Sequence, residues 1–258
     1  MTSDIGMDKG VMVECDGARA KITLNRPSKH NALHNEDIAK MIDFLKVVEE
    51  SPEVRTLVIT GVGDKTFCAG AALNQVGAGE LDGRNFEELM DRLEHLSVPT
   101  LCSLNGNVYG GGVEFTLCCD FVLGLTGSRA FVPPARLGLC YGFSGLARYV
   151  NRIGLSVAKR LLVGNETFDA EELLRTGVYD YLVDPDQRKD REREIIERLE
   201  GLAPLAVKHM KRTLNEIANG TVVEAEAKKR EKQCAHSKDL KIGVTAQREK
   251  AAPEFLGE

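Results

Sequence analysis

Residues 99–120, PTLCSLNGNVYGGGVEFTLCCD, bring together the residue types that do chemistry at a backbone: the consecutive glycines Gly110, Gly111 and Gly112, then Glu114. Thr100, Leu101, Cys102 and Leu104 read as a buried strand and Asn105-Gly106-Asn107 as a turn. Val113, Phe115, Thr116, Leu117 and Cys119 read as the start of a helix. The glycines therefore fall at a helix N-terminus, where the first amides have no intrahelical acceptor and the macrodipole is positive. Backbone without side chains can approach a polarised or anionic oxygen there, with Glu114 one turn away. Three glycines after a strand serve tight strand-to-helix packing equally well, so spacing alone leaves both readings open.

A second stretch of the same kind lies upstream. Residues 54–60, VRTLVIT, form a β-branched run suited to a buried parallel strand, and GVGDKTFCAGAA follows it. Ala69, Gly70, Ala71 and Ala72 again leave backbone amides unobstructed. Two strands that each deliver such amides to one region can build a two-donor oxyanion hole, which stabilises charge developing on a carbonyl oxygen.

The elements that must position these stretches are legible too. Residues 11–25, VMVECDGARAKITLN, alternate about Asp16-Gly17 as an antiparallel hairpin. Pro27 closes the second strand, Asn35 is the expected N-cap, and Ile38, Met41, Ile42, Leu45 and Val48 recur at helical spacing up to Ser51-Pro52. Arg26, Lys29 and His30 make a small basic cluster before this helix, either a solvated loop or a phosphate contact.

Composition narrows the function classes. A chain of 258 residues is ample for one large α/β core. A formal net charge of -5 argues against nucleic acid or an anionic membrane as the main partner. The opening MTSDIGMDKG has no apolar core, and no run approaches the length of a membrane span, so a cytoplasmic protein is expected. The seven cysteines, Cys68, Cys102, Cys118, Cys119 and Cys140 among them, read as small buried hydrophobes in a reducing compartment. They and the scattered histidines show no metal-ligand spacing, so no metal is expected.

Together, ITLNRPSKHNAL, LVITGVGDKTFCAGA, VPTLCSLNGNVYGGGVEFTLCCDF, PPARLGL and FDAEELLRTGVYDYLV, in this order, resemble the crotonase superfamily, the enoyl-CoA hydratase/isomerase group. The resemblance implies an α/β fold, a spiral of ββα units over residues 1–187. It also implies a C-terminal helical segment over residues 188–258 that is used in assembly, with homotrimers or dimers of trimers. It implies an enzyme whose substrate is an acyl-CoA thioester and which needs no cofactor beyond the coenzyme A of that substrate. In such enzymes two backbone amides hold the thioester oxygen, and by resemblance these are Ala71 and Gly111, flanked by Ala69, Gly70 and Gly110. Asn31, Ala32 and Leu33 match the loop along the CoA moiety, with Arg26 and Lys29 as phosphate contacts. Glu114 matches the first of two glutamates used by the family's hydratases to handle water and protons.

Two departures qualify that picture. The second glutamate position carries Pro134, which cannot exchange a proton, and the acidic residue usual after the AGA segment is replaced by Ala72. A single acid/base glutamate suits isomerisation, decarboxylation, or hydration with an unfamiliar partner. A CoA-thioester-binding homologue without hydratase turnover is the alternative of another class. Cys140 and Tyr141 read as packing residues. Beyond them, residues 145–164 read as a helix with Leu146, Tyr149, Val150 and Ile153 on one face. Asp169 opens another helix, and amphipathic helices follow from Arg188 to Cys234, too apolar on one side to stay uncovered.

Overall fold

The computed structural model describes residues 8–72 and 83–258. The first residues of MTSDIGMDKG, up to Met7, therefore lie outside the described residues. Ten strands are described: β1 (Gly10–Asp16), β2 (Arg19–Asn25), β3 (Thr56–Gly61), β4 (Thr66–Cys68), β5 (Thr100–Ser103), β6 (Asn107–Tyr109), β7 (Phe121–Leu125), β8 (Arg129–Phe131), β9 (Phe168–Asp169) and β10 (Tyr181–Val183). The helices are α1 (Asn35–Glu50), α2 (Gly83–His95), α3 (Gly111–Leu117), α4 (Pro134–Leu137), α5 (Phe143–Leu162), α6 (Ala170–Arg175), α7 (Arg188–Glu200), α8 (Pro204–Ala218), α9 (Glu224–Ala235) and α10 (Lys238–Glu249).

Two sheets organise the chain. The larger has the order β1-β2-β3-β5-β7-β10, and the smaller β4-β6-β8-β9. The expected hairpin is the antiparallel β1–β2 pair, and β2, β3, β5, β7 and β10 then run parallel to their neighbours. Alternation along β3 sends Leu57 and Ile59 into the main core and Val58 to the opposite face. There Val58 packs with Leu101, Leu123 and, from α7, Ile195, Ile196 and Leu199. Both faces of the sheet are thus buried, which is why β3 and β5 read as continuous apolar runs.

The smaller sheet decides the site. Asn107 does not end a turn as expected but begins β6, which runs parallel to β4. The strands that lead directly into the two glycine-rich segments are therefore these three-residue elements, not the longer β3 and β5. Parallel neighbours end side by side, so residues 69–71 and 110–112 emerge together.

Other boundaries shift for local reasons. The N-cap of α1 is His34 and not Asn35, and Asp37 closes the first turn by accepting from the His34 amide at 3.0 Å. The buried Asp37 also accepts from the Val11 amide at 2.9 Å, tying α1 to the first strand. Helix α5 is interrupted at Gly154, whose φ of 76° is left-handed. Its buried side is Gly145, Arg148, Tyr149 and Ile153, while Leu146 and Val150 are exposed. Asp169 caps α6 as expected, accepting from the Glu172 amide at 2.9 Å. Helix α10 falls within the C-terminal helical segment that the resemblance implies. Of the cysteines named above, Cys140 is exposed, because it follows α4 on the surface instead of entering the core.

Candidate active site

Three separate stretches meet at the ends of β4 and β6. Leu33 donates to the Gly70 carbonyl at 2.9 Å and accepts from the Ala72 amide at 3.0 Å, a parallel bridge that clips the 31–33 loop to the 69–72 segment. In that register the Ala71 N–H points away from Leu33. Gly70 has a φ of 79°, and a Cβ built on it would lie 2.6 Å from the Gly111 nitrogen, so its backbone packs directly on the start of α3. Among the described residues neither the Ala71 nor the Gly111 amide has a hydrogen-bond acceptor. Two adjacent unpartnered amides, one of them at a helix N-terminus, make a seat for an oxygen carrying negative charge.

Each glycine of the triplet has its own reason. Gly110 takes a φ of 53° to turn from β6 into α3. Gly111 faces Phe86 of α2, whose Cζ is 3.1 Å from the position of an added Cβ. Gly112 packs against backbone, with a Cβ position only 2.5 Å from the Cys68 carbonyl oxygen. Since backbone cannot yield as a side chain can, Gly112→Ala is expected to lose about 1–3 kcal/mol of stability, read as a lower denaturation midpoint in urea. An unchanged midpoint would contradict the packing seen here.

Glu114 lies one turn into α3 and is 7% exposed. Its Oε1 accepts from Nη1 of Arg148 at 2.9 Å, and Arg148 is itself buried in α5. The same guanidinium holds Glu94 through Nε at 2.9 Å and pairs with Asp91, both from α2. Burial pushes the Glu114 carboxyl above the usual carboxylate range; Arg148 pulls it back, and the charges of Glu87 and Asp91 push it up again. Burial, with the Glu114 charge added, also holds the Tyr141 hydroxyl well above its ordinary value, so Tyr141 sits beside the carboxylate as a neutral phenol.

A carboxyl raised in the folded state contributes stability that is full below the ordinary carboxylate range and is lost as pH rises through the raised value. Arg148 limits that loss. Arg148→Gln is therefore expected to cost about 3–5 kcal/mol at neutral pH, since it leaves the buried Glu114 carboxylate unpaired. The limb of the pH–rate profile that disappears in Glu114→Gln is expected to move to higher pH in the Arg148 variant. A limb that stays put or moves down would exclude Arg148 as the group that sets this carboxyl.

The remaining expected residues divide by what their side chains touch. Asn31 is buried, with a φ of 53°; its Oδ1 accepts from the Arg26 amide at 2.9 Å and its Nδ2 donates to the Thr66 carbonyl at 2.8 Å. Its side chain staples the loop to β4, while Ala32 and Leu33 carry the loop to Ala71. The Arg26 guanidinium is engaged by Asp37 and Glu36, each at 3.1 Å, so its charge is already balanced within the fold. Lys29 is exposed and has no carboxylate partner among the described residues. Pro134 is buried at the first position of α4. Cys68 lies beside the seat, but burial pushes its thiol up to about 12, and its sulfur accepts from the Gly70 amide, so it is a packing group and not a nucleophile. Among the described residues no cluster of three or more His, Cys, Asp or Glu could hold a metal ion, and no helix is long and apolar enough to cross a membrane.

Arg148 was missed from sequence. Its signal was present, for it is a charged residue on the stripe shared with Gly145, Tyr149 and Ile153, the buried side of α5. Phe86 and Glu87 were missed as well, and only the packing of α2 over α3 brings them in.

The site defines a class: an α/β fold that sets two unpartnered backbone amides near one buried carboxylate. Comparison with known proteins supplies the family. The profile described as Enoyl-CoA hydratase/isomerase matches residues 14–258. The short-chain-enoyl-CoA hydratase of Clostridium acetobutylicum is 31% identical over 246 residues, covering 92% of this chain and 93% of that protein. The crotonyl-CoA hydratase of Syntrophomonas wolfei is 30% identical over 258 residues, covering 96% and 98%. The crystal structure of enoyl-CoA hydratase from Bacillus anthracis superposes with a TM-score of 0.85 at 28% identity, covering 97% of this chain and 100% of that one. The chain belongs to the enoyl-CoA hydratase/isomerase family of the crotonase superfamily, and its fold is that of the family.

Proposed function

We propose that the protein acts on an acyl-CoA thioester through an enolate, with the Ala71 and Gly111 amides on the thioester oxygen and Glu114 moving the proton. The observation that carries this reading is the backbone contact of Gly70 with Gly111, which joins two segments with unpartnered amides one turn from the buried Glu114. Removing or adding a proton α to a thioester carbonyl, or adding a nucleophile at the β carbon, puts negative charge on the carbonyl oxygen. Amides already oriented toward that oxygen stabilise it without reorganisation, and each is worth about 2.7–4 kcal/mol of barrier. The raised Glu114 carboxyl keeps its proton to higher pH than an ordinary carboxylate, which suits it to giving and taking a proton.

The coenzyme A would lie along residues 31–33, with the exposed Lys29 available to its phosphates and Arg26 contributing mainly by holding the loop. The similarity to a short-chain-enoyl-CoA and a crotonyl-CoA hydratase favours short 2-enoyl thioesters. Homotrimers, or dimers of trimers, in the cytoplasm accord with the exposed Met210, Leu214 and Ile217 on one face of α8, which a second copy would cover. Pro134 favours a second reading, a decarboxylase or a thioester-binding homologue without hydratase turnover. A panel of 2-enoyl-, 3-enoyl- and malonyl-type CoA thioesters, followed by absorbance and by chromatography, tests the two. Turnover of a 2-enoyl or 3-enoyl substrate supports the first reading; exclusive turnover of the malonyl type supports decarboxylation, and binding without turnover of any supports the homologue.

A further inference from the structure

Pro134 leaves the usual second carboxylate position empty of any titratable group, yet another carboxylate approaches the site from a different element. Side chains of helix α2 reach both α3 and α5. Phe86 contacts Gly111 at the oxygen seat. Further along α2, Asp91 and then Glu94 pair with Arg148 of α5. Glu87 stands between, one turn before Asp91, and accepts a hydrogen bond from the Ser144 hydroxyl. The next residue, Gly145, packs on the Glu114 carboxylate, with its Cβ position 2.9 Å from Oε1. Glu87 and Glu114 thus reach neighbouring residues of α5, Ser144 and Gly145, from two different helices, and Glu87 is open to solvent whereas Glu114 is buried. A side chain on Gly145 would push the Glu114 carboxylate aside, so a glycine at this position lets Glu114 lie against α5.

We propose that Glu87 is the water-activating carboxylate of this enzyme, standing in for the absent second glutamate and making the reaction the hydration of a 2-enoyl-CoA. The inference rests on the oxyanion and Glu114 reading above. The Glu87 carboxylate takes a proton from water as the water oxygen bonds to Cβ. The Cα=Cβ electron pair moves toward the carbonyl, giving an enolate whose oxygen is held by the Ala71 and Gly111 amides. The Glu114 carboxyl then delivers its proton to Cα and the carbonyl re-forms. Glu87 releases its proton to solvent and Glu114 takes one back, so one water is consumed and nothing is oxidised or reduced. Ser144 is a positioning residue, fixing the Glu87 rotamer.

The test uses two readouts on the full-length protein: hydration of crotonyl-CoA, and exchange of the α protons of butyryl-CoA in D2O. Glu114→Gln is expected to lose both. Glu87→Gln is expected to lose at least a hundredfold of the hydration kcat while exchange falls less than tenfold. Ser144→Ala, which keeps the carboxylate but frees it, is expected to lower hydration several-fold, and this variant decides the matter if Glu87→Gln does not fold. Hydration that survives in Glu87→Gln within tenfold, or a wild type that exchanges α protons but adds no water, overturns the role of Glu87 and leaves the oxyanion reading intact. A wild type that does neither overturns that reading itself.

Discussion

Replacing Glu114 by glutamine is expected to lower kcat by roughly 10²–10⁴-fold, the range in which a positioned acid/base group acts. The fold should survive the change. Glutamine matches the shape of glutamate, and its carbonyl oxygen can still accept from Arg148, which keeps its bonds to Glu94 and Asp91. What is lost is the exchangeable proton, and with it the step at the α carbon. Steady-state rates on the thioester turned over by the wild type, together with circular dichroism, separate chemistry from folding. A folded Gln variant that keeps more than a tenth of the wild-type kcat would remove Glu114 from the mechanism. Because burial raises this carboxyl and Arg148 opposes the rise, the wild-type rate should also show a limb above the usual carboxylate range that the variant lacks.

Gly111→Val tests the other half of the site. Loss of one oxyanion donor typically costs 10²–10³ in kcat, or about 2.7–4 kcal/mol. A valine at the first position of α3 meets Phe86, a half-buried side chain that can yield, and its branches project toward Gly70 and the space before the two amides. The expected result is a folded protein with its turnover lowered by at least that factor. Gly112→Ala provides the contrast, since there the neighbour is the Cys68 carbonyl and stability should fall instead. Undiminished kcat in a folded Gly111 variant would sink the oxyanion assignment. Identical behaviour of the Gly111 and Gly112 variants would mean that the triplet serves packing alone.

Much of this was legible in the linear chain because it depends on local rules. The hairpin follows from period-two alternation broken at Asp16-Gly17, and the buried strand β3 from a β-branched run flanked by polar residues. The cap of α6 follows from an aspartate three residues before an amide it can bond. The glycine triplet and the AGA segment marked where backbone would be left uncovered. Their meeting was inferred from β3 and β5, whereas the short strands β4 and β6 bring it about. Three-residue strands carry no periodicity, so no sequence rule could have found them.

By itself, then, the sequence marked the small-residue segments 69–72 and 110–112, a carboxylate at Glu114 shortly after the second, and, by resemblance, Pro134 at the position of a second glutamate. Only the tertiary structure decided how those groups are charged and what else stands near them. Arg148 comes to Glu114 from α5, and Glu87 arrives from α2 through Ser144. Arg26, which reads as a free cation in the chain, is neutralised by Asp37 across the loop. The physical reason is the same in each case. Solvation and Coulomb energies depend on distances in space between residues far apart in sequence, and those distances are set by helix packing, which no local pattern encodes.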